Sequence, residues 1–261
     1  MRADLALAAR GLAPSRTRAR QLIENGLVEC NGAVVTRPSA QVGSGDRLTV
    51  RALDHPYVSR GALKLERALE VFRVDPRDRV CADIGASTGG FTEVLLVHGA
   101  KLVYAVDVGT NQLHPRIASD PRVVSMEQTN ARMLTPDMFD PQPSIAVMDV
   151  SFISVRLILP ALFGLADTCI ILIKPQFEAG RACLDKHGIV RDRDAHMRVI
   201  EEICTFVSDR GWTLSDITPS PIPGGSGNRE YLALLTNPCD NRRKISASTQ
   251  MMRQAVFGET E

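Results

Sequence analysis

The chain has 261 residues, 44% hydrophobic and 23% charged, ordinary values for a soluble globular protein with one large domain, or a small and a medium one. A formal net charge of +1 gives no sign of a polyelectrolyte partner, yet residues 1–50 hold seven Arg against four Asp and Glu, +3 in all, leaving −2 for the remainder. Six scattered cysteines without a CxxC pair, and no histidine at zinc-ligand spacing, argue against a disulfide framework or a metal site and suit reduced packing thiols in a cytoplasmic protein.

At the amino terminus "LALAARGLA" is too short, and too broken by Arg10, for a signal peptide. It reads as a helix ended by Gly11. Ser15 caps a second helix, with Ala19, Leu22 and Ile23 on its apolar face and Arg16, Arg18 and Arg20 on another. Short strands follow at Leu27–Glu29, Ala33–Val35 and Arg47–Val50, with turns at Asn31-Gly32 and Ser44–Asp46. "APSRTRARQLIENGLVECNG" followed by "V.TRPS...V.SGD.L.V" resembles the small S4-type RNA-binding module, whose arginine-bearing helix faces structured RNA. An arginine face with few aromatics suits backbone and shape readout of folded RNA. Residues 53–57, with Pro56, are the expected linker.

"YVSRGALKLERALEVF", Tyr57–Phe72, has helical periodicity, with Leu65, Ala68, Leu69 and Phe72 as a buried stripe. Lys64 falls on that stripe. The bland reading is an ammonium that lays its stem on apolar surface and reaches water.

From Arg79 onward strands and helices alternate. "RVCADI", "LVYAVDV", "RVVSM", "SIAVMDV" and "TCIILIK" read as strands, with helices at "GGFTEVLLVHGA", Ile153–Gly164 and Asp194–Arg210, and "TLSDIT" and "EYLALLT" as two closing strands, the last antiparallel. Arg156, Pro160 and Asp167 interrupt the most apolar region, so no membrane span of about 20 residues is expected. Ligands of such sheets bind beyond the carboxyl ends of the strands. Asp83, Asp107, Asp149 and Lys174 end strands, and Glu230 begins the antiparallel one, so these five groups are expected on one rim.

The glycine loop "DIGASTGGFTE" lacks both the Gly-Lys-Ser/Thr of a phosphate loop and the GxGxxG of a dinucleotide fold. A tight turn without a pyrophosphate cradle, plus Asp107 placed for ribose hydroxyls, describes S-adenosylmethionine. A glycine turn in a generic α/β protein is the alternative. "QFEAGRACLDKHGIVRD", with Gly180 and Gly188 as hinges, reads as a lid or an ordinary loop. His55, His98, His114, His187 and His196 are expected in loops or on the surface, and the polar tail 238–261 as disordered or as one short helix at Ser248–Phe257.

"SRGALKL", "DIGASTGGFTEVLL", "AVDVG..QL", "MDVSFIS", "IKPQFEAG" and "PSPIPGGSGNREY" together resemble the TlyA (hemolysin A) family. Its members join an S4-type RNA-binding domain, here 1–52, to an FtsJ-like ribose 2′-O-methyltransferase domain, here 58–237. The implied fold is α/β, a Rossmann-like S-adenosylmethionine-dependent methyltransferase sheet behind a small α+β domain. The family's Lys-Asp-Lys-Glu tetrad falls on Lys64, Asp149, Lys174 and Glu230. Its cofactor site implies Asp83, Gly85, Ala86, Ser87, Thr88, Gly89, Gly90, Phe91, Asp107, Val108, Asn130 and Asp149, and its RNA face Arg2, Arg16, Arg18, Arg20 and Arg60. No metal is implied. Lys174 is the candidate base, with Lys64 as a second cation, although such a cluster titrates as a unit and spacing leaves the base open. The implied activity is methylation of ribosomal-RNA cytidines, with ribosomal RNA or ribosomal subunits as partners, no membrane, and a monomer favoured. A non-catalytic RNA binder and a membrane-acting hemolysin are the competing readings.

Overall fold

The structure is a computed structural model that describes residues 1–13, 15–24, 26–50, 56–224, 227–237 and 247–258. Most of the expected linker lies outside the described residues, as do His55 and Cys239. Helices α1 (Ala3–Ala9) and α2 (Arg16–Glu24) share a small core with an antiparallel sheet of order β2-β1-β3, from β1 (Val28–Cys30), β2 (Ala33–Val34) and β3 (Leu48–Val50). Ser15 Oγ accepts the Arg18 N–H at 3.1 Å and so caps α2. Asn31 and Gly32 both take positive φ, as a two-residue hairpin turn requires.

The larger part contains helices α3 (Ala62–Phe72), α4 (Gly90–Val97), α5 (Pro115–Ala118), α6 (Leu159–Phe163), α7 (Pro175–Glu178), α8 (Arg193–Ser208) and α9 (Thr249–Phe257). Its strands are β4 (Val80–Ile84), β5 (Leu102–Val106), β6 (Val123–Met126), β7 (Ile145–Met148), β8 (Thr168–Ile173), β9 (Thr213–Pro219) and β10 (Tyr231–Thr236). They form one sheet of order β6-β5-β4-β7-β8-β10-β9. Strand β10 runs antiparallel to both β8 and β9, whereas the other pairs are parallel. Alternate residues feed two cores, as a twofold side-chain period demands. Cys81, Val103, Ile170, Leu172, Leu232 and Leu234 pack with α3 and α4; Ala82, Ile84, Ile171, Ile173, Ala233 and Leu235 pack with α6, α8 and α9. The order reverses between β4 and β7, which opens a crevice at their carboxyl ends.

Three expectations need correction. Helix α3 starts at Ala62 rather than Tyr57, because Val58 N–H is held by Glu93 Oε2 at 2.6 Å and the Tyr57 hydroxyl by Glu66 at 2.6 Å. The expected helix Ile153–Gly164 is a 3₁₀ turn, Val155–Leu157, and then the short α6. Glu178 captures the Val155 N–H at 2.7 Å, and Pro160 lacks the N–H that a continuous helix needs. His196 lies buried on α8, its Nδ1 2.8 Å from the Tyr231 hydroxyl and its Nε2 2.8 Å from Val190 O. Tail residues 238–246 fall outside the described residues, but the helix expected after them is α9, and it buries Met252, Ala255 and Val256 in the sheet's core. Val256→Asp, placing an unpaired charge at a position with 0% exposure, should cost about 3 kcal/mol or more in urea unfolding. An unchanged midpoint would put this helix outside the folded unit.

Candidate active site

Four segments far apart in sequence bring the two lysines together with two acids. Helix α3 presents Lys64, which is 7% exposed, with Nζ 2.6 Å from Glu230 Oε2 at the start of β10. Its charge therefore ends on a buried carboxylate and not in water. Lys174, also 7% exposed, follows β8; its Nζ lies 2.6 Å from Asp149 Oδ1 beyond β7 and donates to Ser151 Oγ at 2.8 Å. Glu230 Oε1 accepts from Gln176 Nε2 at 3.4 Å.

Burial disfavours the Lys64 ammonium, but Asp149 and Glu230 outweigh it and hold this amine above the ordinary lysine value. Asp149 is likewise disfavoured by burial and still held below the ordinary carboxylate value, by Lys174 and Lys64. Lys64 is thus a firmly protonated donor.

The cofactor loop is a turn of positive-φ residues between β4 and α4. Gly85 has φ +85, and a Cβ there would meet Asp149 O at 2.6 Å, so this position needs glycine on two counts. A Cβ on Gly90 would meet Ser59 and Ala62 N, where the segment leading into α3 crosses the helix. Asp107 Oδ2 accepts the Ser87 N–H at 2.8 Å and Oδ1 the Gly109 N–H at 2.7 Å, which binds the end of β5 to the glycine turn.

Two adjoining cavities of about 560 and 1160 Å³ meet at this cluster. Gly85, Ala86, Ser87, Thr88, Gly90, Phe91 and Asp149 line the smaller one. Asp107, Val108, Asn130, Asp149, Lys174 and Glu230 line the larger. Asp83 and Gly89 reach neither wall. Asp83 is fully buried beneath the turn; its Oδ2 accepts from Thr92 Oγ1 at 2.7 Å, its Oδ1 has no hydrogen-bond partner among the described residues, and burial pushes the carboxyl up to about 7.

Of the expected RNA-facing arginines, Arg20 lines the larger cavity and Arg60 the smaller. Arg2 and Arg16 are bonded to the buried Asp4 at 2.9 and 3.0 Å, which holds its carboxyl well below the usual range. Arg18 lies close enough to His114 on the larger part to help depress its pKa, after burial. Residues that sequence reasoning missed are Ser151, Gln176, Arg37 and Phe152. Ser151 and Gln176 each sit two positions after a tetrad member, a spacing that could have revealed them. Arg37 lines the larger cavity from outside the arginine helix. Phe152 is 83% exposed with φ +65 and lies against Phe177, ring centroids 5.1 Å apart. The expected lid contains α7 and a turn in which Asp185 Oδ1 accepts N–H groups of His187 and Ile189, and His187 lines the larger cavity.

The family model of the FtsJ-like methyltransferases matches residues 57–237, and that of the S4 domain residues 1–48. The chain is 44% identical over 259 residues to the 16S/23S rRNA (cytidine-2′-O)-methyltransferase TlyA of Mycobacterium tuberculosis, covering 98% of this chain and 97% of that protein. It is 42% identical over 237 residues to Hemolysin A of Brachyspira hyodysenteriae, covering 89% and 98%. A solved structure of a hemolysin-named protein from Streptococcus thermophilus superposes with a TM-score of 0.77 at 42% identity, covering 99% of this chain and 94% of that one.

Asp83 generates a pH-dependent prediction. Its folded pKa, about 7, stands above the ordinary 3.8, so the stability tied to its protonated form is complete below about pH 4 and is lost as pH rises through 7. Asp83→Asn should therefore gain stability relative to wild type between pH 4 and 8, on the order of 2–4 kcal/mol at the upper end. Urea unfolding at pH 5 and pH 8 measures this; an equal difference at both pH values would refute it.

Proposed function

This chain belongs to the TlyA family of FtsJ-like methyltransferases with an S4 domain, and from that premise we propose that it methylates ribose 2′-hydroxyls of ribosomal RNA, most specifically cytidines, in the cytoplasm. The observation that carries the reading is the pair of lysine–carboxylate contacts at the strand ends, beside a glycine turn and Asp107. The residues suit S-adenosylmethionine: the Gly85 turn admits close backbone approach, and Asp107, on the wall of the larger cavity, keeps acceptor capacity for a ribose. When bound, that cofactor supplies an activated methyl group on sulfur.

The protein's own contribution is placement and proton handling. The 2′-oxygen must lie in line with the methyl group at ~3–3.5 Å, and the cavity walls set that approach. A hydroxyl is a weak nucleophile until its proton is shared. Lys64 is bound to a carboxylate that keeps it charged, so it serves as donor to the developing oxyanion. Lys174, aimed by Asp149 and by the uncharged Ser151 hydroxyl, is the proton acceptor in its neutral form, which it reaches by first releasing its own proton to solvent. Glu230 keeps Lys64 in place, and Gln176 orients Glu230.

RNA as substrate is supported by the cavity's shared wall. Arg20, Thr36, Arg37 and Pro38 of the amino-terminal module line the same space as Asp149, Lys174 and Glu230. Phosphates held by the arginines would thus bring a neighbouring ribose to the lysines, and exposed Phe152 offers an aromatic face to an unstacked base. The hemolysin name of relatives has no counterpart in a spanning segment: no helix of the described residues is long and apolar enough to cross a membrane.

Lys174→Ala should lower methyl transfer to ribosomal RNA about 10²–10⁴-fold while leaving cofactor affinity nearly unchanged; mapping of 2′-O-methyl marks and calorimetry measure the two. Near-normal turnover would remove Lys174 from the chemistry. Replacing Arg18 and Arg20 with Ala should weaken RNA binding and reduce the slope of log affinity against log salt by about 1–2, without affecting cofactor binding. An unchanged slope would place the RNA elsewhere.

A further inference from the structure

The residues leading into β10 send their side chains alternately to two sides. Asn228 and Glu230 are buried on the crevice side. Asn228 Oδ1 accepts the Val190 N–H at 3.2 Å and its Nδ2 donates to Gly188 O at 3.0 Å, while Glu230 takes Lys64. Arg229 and Tyr231 go the other way. Tyr231 meets His196 on α8, and Arg229 donates from a terminal guanidinium nitrogen to Val256 O at 2.7 Å.

Val256 lies in the last turn of α9, where backbone carbonyls have no partner within the helix and attract cations. Arg193, at the start of α8, takes the next carbonyl, that of Phe257, at 3.0 Å. One helix end is therefore gripped by two arginines from different places in the chain: Arg193 begins α8, and Arg229 is covalently next to Glu230. Helix α9 also lies beyond residues 57–237, the stretch matched by the methyltransferase family model.

The approach to Glu230 contains Gly224 and Gly227, whose backbones are less restricted than those of other residues. Ser220 N–H binds Glu230 O at 2.9 Å and fixes the strand start from the β9 side. Arg229 supplies the second anchor. We propose that Arg229 is a positioning residue for methyl transfer, by which the carboxy-terminal helix α9 holds Glu230, and through it Lys64, in register with the crevice. This rests on the methyltransferase reading given above.

The test compares full-length Arg229→Ala, Arg229→Lys and Arg193→Ala with wild type, reading kcat and KM on ribosomal RNA, cofactor affinity by calorimetry, and the thermal midpoint. Arg229→Ala should lose about 10–100-fold in kcat, with cofactor affinity and KM within about threefold, because a small misplacement near the reacting groups acts on turnover. Arg229→Lys should recover part of that loss. Arg193→Ala, which removes an equivalent grip on α9, should shift the midpoint as much as Arg229→Ala while keeping kcat within about twofold. Should Arg229→Ala not fold, Arg229→Gln is read on the same scale. Equal losses of kcat in the Arg193 and Arg229 variants, tracking the midpoint, would overturn the proposal, as would undiminished turnover in Arg229→Ala. A wild-type chain that transfers no methyl group would overturn the functional reading and this proposal with it.

Discussion

Two ion pairs, the buried Lys64–Glu230 and the partly buried Lys174–Asp149, are the constraint on which the arrangement of the larger part depends. Removing charged groups from water costs several kcal/mol each, and only a short contact with an opposite charge offsets it. Each member comes from a different element, so α3 and the ends of β7, β8 and β10 must meet at one place for any charge to be satisfied. As a stability device the cluster is poor, since apolar residues of similar volume serve as well or better. Its value is chemical: it holds two amines at one crevice with fixed geometry.

The crevice is built from two parts of the chain. The glycine turn and Asp107 form one end, the tetrad the middle, and Arg20 and Arg37 of the amino-terminal module part of the remaining wall. The arginine helix and the strand ends thus serve a common space, which suits a substrate whose backbone is gripped in one place and modified in another. Glu93 reinforces the junction: it accepts the Val58 N–H and is paired with Arg116, which also donates to Pro56 O. The segment entering α3, and Lys64 on it, is fixed from the cofactor side.

Much of this was legible in the residues. Apolar periodicity located the strands of the large sheet, and the rule that ligands sit beyond strand carboxyl ends brought Asp107, Asp149, Lys174 and Glu230 to one rim. It misjudged Asp83, because the last inward position of a strand can turn down into the core as readily as up into the crevice. The helix forecast at Ile153–Gly164 failed for a tertiary reason, the capture of Val155 N–H by Glu178, which lies on α7 beyond another strand. Tyr57–Gly61 likewise has helical periodicity but forms bends and a turn, with its Val58 N–H taken by Glu93. Burial of His196 is not evident from its helix, since its ring partners are Tyr231 of β10 and the carbonyl of Val190, which precedes the helix. Local pattern reports local preference, and these departures arise where a distant carboxylate or hydroxyl offered a better partner.

The most direct test of the central claim is a crystal structure of the chain with S-adenosylhomocysteine. The account predicts its ribose hydroxyls on Asp107, its chain along the Gly85 turn, and its sulfur facing the gap between the amines of Lys64 and Lys174. A cofactor bound elsewhere, or with its sulfur turned away from both lysines, would contradict it.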